Sequence, residues 1–328
     1  MKPELLKLLR CPKSGQRLRL EQAEYQGDEI VSGWLVAVEG GTRYPVREFI
    51  PRFVPSSNYA DNFGIQWNRF RRTQLDSFSG QTISAERFWR STGWDPAALS
   101  GAWILDAGCG AGRFAEIALH AGARLVAIDY SAAVDACYSN LKQYPNLHVV
   151  QADLYALPFA PQAFCFVYSL GVLQHTPDVA KAFAALPPML TPGGQLCADF
   201  YELTWRHRLL PRHFLRPFTT RMSATRLFDA CQKWVPRLLP VSHRLGRVPK
   251  LGPFLKRLVP VADYEGLYPL EETQRAEWAL LDTFDWLSPT YDQPQRRENV
   301  ARWIETSGFK DWSVFKSGFL VVRGLDKL

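Results

Sequence analysis

No apolar run in this chain of 328 residues approaches the roughly 18 to 20 residues needed to cross a bilayer, which argues against membrane-spanning helices. Met1 to Leu9 also lacks the long apolar stretch and small-residue cleavage site of a secretory leader, so an uncleaved, non-spanning protein is expected. Cysteine is sparse: Cys11, Cys109, Cys137, Cys165, Cys197 and Cys231 are never closer than 28 positions, and none forms a C-x-x-C pair. That spacing argues against a disulfide framework and a zinc ribbon, and suits reduced thiols in the cytoplasm. Repeats and low-complexity tracts are missing too. With 47% hydrophobic and 22% charged residues, general disorder and collagen-like or coiled-coil chains are excluded. One absence is local. From Arg206 to Arg257 stand ten Arg and three Lys but a single acid, Asp229, a net charge of +12 in a chain whose total is +7. The remainder is therefore mildly acidic, which excludes a uniformly basic nucleic-acid coat and leaves one basic module on an enzyme-like body.

What is present is an alternation. Short β-like runs, Trp103-Ile-Leu, Leu125-Val-Ala-Ile, His148-Val-Val, Phe164 to Tyr168 and Gly194 to Phe200, alternate with helical stretches at about 113–121, 132–144 and 178–186. Strands alternating with helices predict an α/β fold with a parallel, doubly wound sheet covered on both faces. The basic segment interrupts the series, and a helix with one or two strands over 299–319 resumes it. The organisation read from the sequence is a β-rich appendage at 1–55, an aromatic and arginine-rich helical lid at 56–100, and a core at 101–201. A basic helical insertion at 202–294 and a closing helix and strands at 295–328 complete it.

The strongest signal is Ile104-Leu-Asp-Ala-Gly-Cys-Gly-Ala-Gly-Arg-Phe, a strand running into a glycine-rich turn and a helix. Glycine lets the backbone bend tightly and approach a ligand, and a helix start offers free N–H groups. Gly110-Ala-Gly-Arg-Phe-Ala fits the dinucleotide pattern G-x-G-x-x-A, with Asp129 where a ribose-binding acid belongs. Asp106, at the strand end before the first glycine, would repel a pyrophosphate and instead favours a cationic cofactor.

Leu105-Asp-Ala-Gly-Cys-Gly-Ala-Gly resembles motif I of the class I S-adenosylmethionine (SAM) methyltransferases. The resemblance extends in order through Asp129, Gln151-Ala-Asp-Leu-Tyr-Ala-Leu-Pro-Phe, Ser169-Leu-Gly-Val-Leu-Gln-His-Thr-Pro-Asp and Leu190-Thr-Pro-Gly-Gly. It implies a Rossmann-like class I fold, SAM as cofactor, and cofactor contacts at Asp106, Gly108, Cys109, Gly110, Asp129, Tyr130, Asp153, Leu154 and Ser169. In that scheme Asp106 and the glycine backbone hold the methionine part, Asp129 the ribose hydroxyls and Asp153 the adenine amino group. Taken singly, Asp129 and Asp153 read equally well as helix-capping or loop carboxylates.

His175, after the fourth core strand, is the candidate general base, having the right intrinsic pKa; the competing reading is a loop histidine capping the helix that begins at Pro177. Tyr201 is a second, weaker candidate. Upstream, Trp67 could cover the cofactor while Gln66 or Arg71 meets its carboxylate, or the segment is an ordinary amphipathic helix. Ser288-Pro-Thr-Tyr291 reads as a bend without an assigned role.

Leu8-Leu-Arg-Cys-Pro-Lys-Ser-Gly and Tyr44 to Pro51 resemble the zinc-ribbon-like domain before some bacterial methyltransferases and in an activator of tRNA methyltransferases. Ser14 stands where a second cysteine is usual, so a metal-free remnant is expected. In the insertion, bulky apolar residues are interleaved with Arg and Lys. An anionic membrane or lipid-like substrate would use both kinds, RNA would use the basic residues with Trp205, His207 and Trp234 as stacking platforms, and an acidic metabolite would need a few arginines. A solvated helical cap with snorkelling arginines is the bland alternative. The overall expectation is methyl transfer to an O, N or C nucleophile of a small or lipid-linked metabolite by a cytoplasmic protein with peripheral contact to anionic membrane. Nucleic acid ranks lower: the Asn/Asp-Pro-Pro-Tyr/Phe signature of base N-methylation is missing at Ser169-Leu-Gly-Val. A non-catalytic SAM-binding scaffold is the rival from another class.

Overall fold

The first 55 residues contribute a sheet of their own. In the computed structural model, which describes residues 1–55, 58–204 and 210–328, a 3-10 turn (Pro3–Lys7) leads into β1 (Leu18–Gln26), β2 (Glu29–Ala37), β3 (Arg43–Arg47) and β4 (Ile50–Pro51). These pair antiparallel in the order β1-β2-β3-β4. The chain then runs through α1 (Asp61–Arg69), α2 (Asp76–Ser79), α3 (Ile83–Thr92) and α4 (Pro96–Leu99) into the core. There β5 (Trp103–Ala107), α5 (Ala115–His120), β6 (Arg124–Asp129), α6 (Ala133–Leu141), β7 (Leu147–Gln151), β8 (Phe164–Ser169), α7 (Val179–Ala184) and β9 (Leu190–Phe200) alternate. The insertion supplies α8 (Pro211–Thr219), α9 (Ala224–Gly246), α10 (Gly252–Lys256) and α11 (Glu272–Leu287). Helix α12 (Arg297–Glu305) and the hairpin β10 (Phe309–Ser317) and β11 (Phe319–Lys327) close the chain.

The large sheet has the order β10-β11-β9-β8-β5-β6-β7, with β5 to β9 mutually parallel and β11 antiparallel to both neighbours. Leu125-Val-Ala-Ile of β6 is buried throughout rather than alternately, as a strand covered on both faces must be. This is the Rossmann-like doubly wound architecture expected of the class I fold. From β5 the chain proceeds outward first to β6 and β7 and then, on the other side, to β8 and β9. The carboxyl ends of β5 and β8 therefore flank a topological switch point, where such sheets open a crevice.

The appendage is packed against the core. Leu5, Leu9, Ile30, Leu35 and Val46 belong to the same apolar cluster as Val150, Leu154 and Phe159. Leu9 bridges to Phe159, Arg52 bridges to Gln151 of β7, and the Arg52 guanidinium meets Asp135 at 2.6 Å. The β7 edge, which would otherwise present unpaired backbone groups, is thereby covered. Cys11 is buried with its sulfur 3.3 Å from the Tyr44 hydroxyl. No helix among the described residues is long and apolar enough to cross a membrane. Trp205, Arg206 and His207 lie outside the described residues.

Because the appendage and the sheet share one apolar core, Leu9→Ala should cost about 2 to 5 kcal/mol and lower the melting temperature of the whole chain in a single transition. Calorimetry showing a separate early transition, with the main one unmoved, would contradict the shared core.

Candidate functional site

At the switch point the backbone turns sharply through Gly108 (φ +103°), Gly110 (φ +51°) and Gly112 (φ +93°), all in the left-handed region that side chains disfavour. Space matters as much as angle. A Cβ on Gly108 would drive into Val172, and one on Gly110 would lie 3.2 Å from the Trp67 indole. The turn is held from β6: the Gly110 amide donates to Asp129 Oδ2 at 3.0 Å, and the Gly108 and Cys109 amides donate to the Ile128 carbonyl at 2.8 Å. Asp129 Oδ1 accepts from the Ser131 amide at 2.9 Å and the Ser131 hydroxyl at 2.7 Å. Burial raises the Asp129 pKa, and these three donors oppose the rise.

A cavity of about 560 Å³ opens beside this turn. Gly108, Cys109, Gly110, Asp129, Tyr130 and Leu154 line it together with Trp67, Phe63 and Tyr59. His175 and Tyr201 line the same space. Tyr59 stacks on Tyr130 with ring centroids 5.0 Å apart.

His175 sits in a 3-10 turn (Leu173–His175), buried, between the rings of Phe63 at 5.3 Å and Tyr201 at 5.6 Å. Its Nδ1 lies 3.0 Å from the Tyr291 carbonyl oxygen, which can only accept, so Nδ1 must carry a proton. In the neutral ring the lone pair is then on Nε2. The helix-capping alternative is overturned: Asp178 caps α7, its side chain accepting from the Lys181 amide at 3.0 Å.

The remaining sequence-derived candidates divide. Asp106 lies at the end of β5, only 2% exposed and outside the cavity wall, with its carboxyl against the buried Tyr168 hydroxyl. Burial pushes its pKa up to about 8. Asp153 lies beside Leu154 but also outside the wall, its Oδ1 accepting from the Tyr155 amide at 2.8 Å. Ser169 does not reach the cavity: its hydroxyl donates to the Ala107 carbonyl at 2.7 Å and ties β8 to β5. Gln66 is turned away from a cofactor role, donating to Asp285 at 3.1 Å, and Arg71 reaches across to the Ser139 hydroxyl at 2.6 Å, off the cavity.

The sequence did not point to a further set of cavity-lining residues, Arg87, Arg113, Arg212, Tyr264, Tyr268, Asp282, Asp285 and Trp286. Arg87 is paired with the fully buried Asp199 at 2.6 Å. Arg113 donates to Ser84 at 2.8 Å and to Gln74 at 2.9 Å, with no carboxylate within 4 Å among the described residues. Gln74 in turn donates to Asp282 at 3.2 Å, and Tyr264 also donates to Asp282. Burial raises Asp282 to about 7, and Asp285 is likewise raised by burial. The spacing of Asp282, Asp285 and Trp286 on one helix was a signal, but nothing local showed which way that face would point.

Comparison with known proteins agrees with this geometry. Residues 105–198 match a family described as a methyltransferase domain. The glycine turn, Asp129, Asp153 and His175 lie inside that span, and the insertion lies outside it. The chain is 32% identical over 131 residues to a malonyl-[acyl-carrier protein] O-methyltransferase of Enterobacter lignolyticus, covering 40% of this chain and 46% of that protein. It is 35% identical over 104 residues to a ubiquinone biosynthesis O-methyltransferase of Aromatoleum aromaticum, covering 30% and 44%. It is also 36% identical over 128 residues to a tRNA U34 carboxymethyltransferase of Cellvibrio japonicus, covering 36% and 40%. The chain thus spans less than half the length of each of these relatives.

An unfolded Asp titrates near 3.9, whereas folded Asp106 keeps its proton to about 8. The folded state binds the extra proton between those values, so this contribution to stability is full below about pH 4 and is lost as pH rises towards 8. Asp106→Asn should therefore flatten the fall in melting temperature between pH 5 and pH 8; an unchanged slope would show that Asp106 is ionised in the fold.

Proposed function

We propose that this chain is a SAM-dependent methyltransferase acting on an O, N or C nucleophile of a small or lipid-linked metabolite. The observation that carries the reading is one continuous cavity joining the glycine turn and Asp129 to His175. The first 55 residues we read as a metal-free docking sheet of zinc-ribbon-like ancestry, with the Cys11 thiol turned to Tyr44.

The residues present fit the cofactor. Gly108 and Gly110 leave a wall that a Cβ would fill, and Tyr130 and Leu154 offer apolar surface beside Asp153. Asp129 is already bonded by three internal donors, out of about four lone-pair sites on a carboxylate. It accepts one ribose hydroxyl without rearrangement and a second if the rotatable Ser131 hydroxyl yields its place. Arg87 and Arg113 are among the cations that share the cavity with the turn, whereas Gln66 and Arg71 do not line it, and they suit the carboxylate end of the cofactor. When bound, SAM supplies an electrophilic methyl group.

The protein then has to align an acceptor and, where the attacking group is protonated, remove its proton. His175 is set for this by the Tyr291 carbonyl, which fixes the tautomer and leaves Nε2 as the proton acceptor. Phe63 and Tyr201 pack against the ring, and Trp67 and Tyr59 add apolar wall that limits water. The aromatic rings and partly neutralised charges around Asp282 suit an acceptor of metabolite size. A nucleic-acid acceptor is the second reading, favoured by the likeness to a tRNA-modifying enzyme.

Asp129→Ala should weaken SAM binding about tenfold or more in calorimetry, since a bond to a charged acceptor contributes about 1.5 to 3 kcal/mol, while NADH should not bind comparably. Unchanged SAM affinity would remove Asp129 from the site. His175→Ala should leave SAM affinity intact but slow transfer of label from SAM to the acceptor fraction of a cell extract about 10² to 10⁴-fold. A variant with near-normal turnover would leave alignment as the whole mechanism.

A further inference from the structure

Ten of the sixteen large apolar side chains exposed among the described residues fall between Phe214 and Tyr268, inside the insertion. Their arrangement is helical. Around α10, Leu251 (57% exposed), Phe254 (62%) and Leu258 (50%) recur at spacings of three and four, the pattern by which a helix normally buries a stripe. Here the stripe faces outward, because α10 is folded back on the end of α9 so closely that a Cβ on Gly252 would strike the Gly246 carbonyl. The inner surface of this helical pair is already filled: Leu227, Phe228, Cys231 and Val235 of α9 pack with Phe284 and Leu287 of α11.

The charge around the stripe has one sign. Between Val241 and Leu258 stand Arg244, Arg247, Lys250, Lys256 and Arg257, with no acid. The acids that face this hairpin come from the segment that follows: Asp263 meets Lys256 at 3.2 Å and His243 at 3.3 Å, and Glu265 meets Arg247 at 3.0 Å. Arg244, Lys250 and Arg257 are exposed and form no ion pair among the described residues. Exposed apolar residues interleaved along the chain with exposed cations match a bilayer surface, where acyl chains receive the first and anionic headgroups the second. A protein groove would need acids placed opposite the arginines, and RNA would leave Leu251, Phe254 and Leu258 in water.

We propose that the α9–α10 hairpin docks the protein on an anionic membrane, inserting Leu251, Phe254 and Leu258 among the lipids. The same insertion supplies Arg212, Tyr264, Tyr268 and Trp286 to the cavity wall, so the segment that docks also shapes the site. This selects the lipid-linked acceptor over the free metabolite. That selection rests on the methyl-transfer reading; the docking itself does not.

The test is co-sedimentation of the full chain with vesicles of phosphatidylcholine alone or mixed with phosphatidylglycerol, with a parallel titration against total tRNA. Retention by the anionic vesicles should fall but not vanish as salt rises from about 0.1 M to 1 M, over which the screening length drops from about 10 to 3 Å. The exposed triple change Leu251→Ser/Phe254→Ser/Leu258→Ser should reduce vesicle affinity at least tenfold. Arg244→Gln/Lys250→Gln/Arg257→Gln should abolish the preference for phosphatidylglycerol. Both variants should keep wild-type SAM affinity, which checks the fold and keeps this outcome separate from failure of the methyltransferase reading. No retention by anionic vesicles at low salt, or wild-type retention by the triple serine variant, overturns the proposal. So does binding to tRNA alone, falling log-linearly with salt.

Discussion

The amide of Gly110 donates to Asp129 at 3.0 Å, and through that bond the end of β6 holds the turn that follows β5. A turn with three left-handed glycines is conformationally costly, since glycine loses more freedom on ordering than any other residue. The cost is offset because the turn is bonded on one side to Asp129 and Ile128 and packed on the other against Val172 and Trp67. Every other part of the site is placed relative to this fixed point: Tyr130 follows Asp129, His175 follows Val172, and Trp67 reaches the turn from α1.

Helix α1 carries that reference outward. Gly64 approaches Ala132 closely enough that a Cβ would sit 3.2 Å from its backbone nitrogen, while Asn62 donates to the Ser288 carbonyl and Gln66 to Asp285. One short helix therefore binds the glycine turn to the insertion. The cavity wall can then bury carboxylates and guanidiniums together, because Gln74, Gln66 and Tyr264 satisfy them with neutral hydrogen bonds. Asp282 and Asp285 respond as buried carboxyls do, with raised pKa values.

His175 shows how packing can fix the protonation of a side chain. Its ring fills space between Phe63 and Tyr201, and its Nδ1 proton is fixed by a carbonyl 116 residues away in sequence. The Ser288 to Tyr291 bend, which had no role in sequence terms, is what delivers that carbonyl. Ser169, at its place in the motif order, turns its hydroxyl to the Ala107 carbonyl and so joins two strands.

By itself the sequence determined the alternating strands and helices, the glycine turn after β5 and the acid at the end of β6. These are set by local geometry: hydrophobic periods, glycine's freedom at positive φ, and a fixed spacing of one strand–helix–strand unit. It also determined the net charge of the insertion, which is a property of composition. Tertiary structure decided which of those charges are neutralised, that Arg71 leaves the cavity while Arg113 enters it, and that Leu251, Phe254 and Leu258 face outward. The reason is that each of these outcomes depends on a contact between segments far apart in the chain. Periodicity gives a helix its apolar face, but which neighbour covers that face is fixed only when the insertion folds back over the sheet.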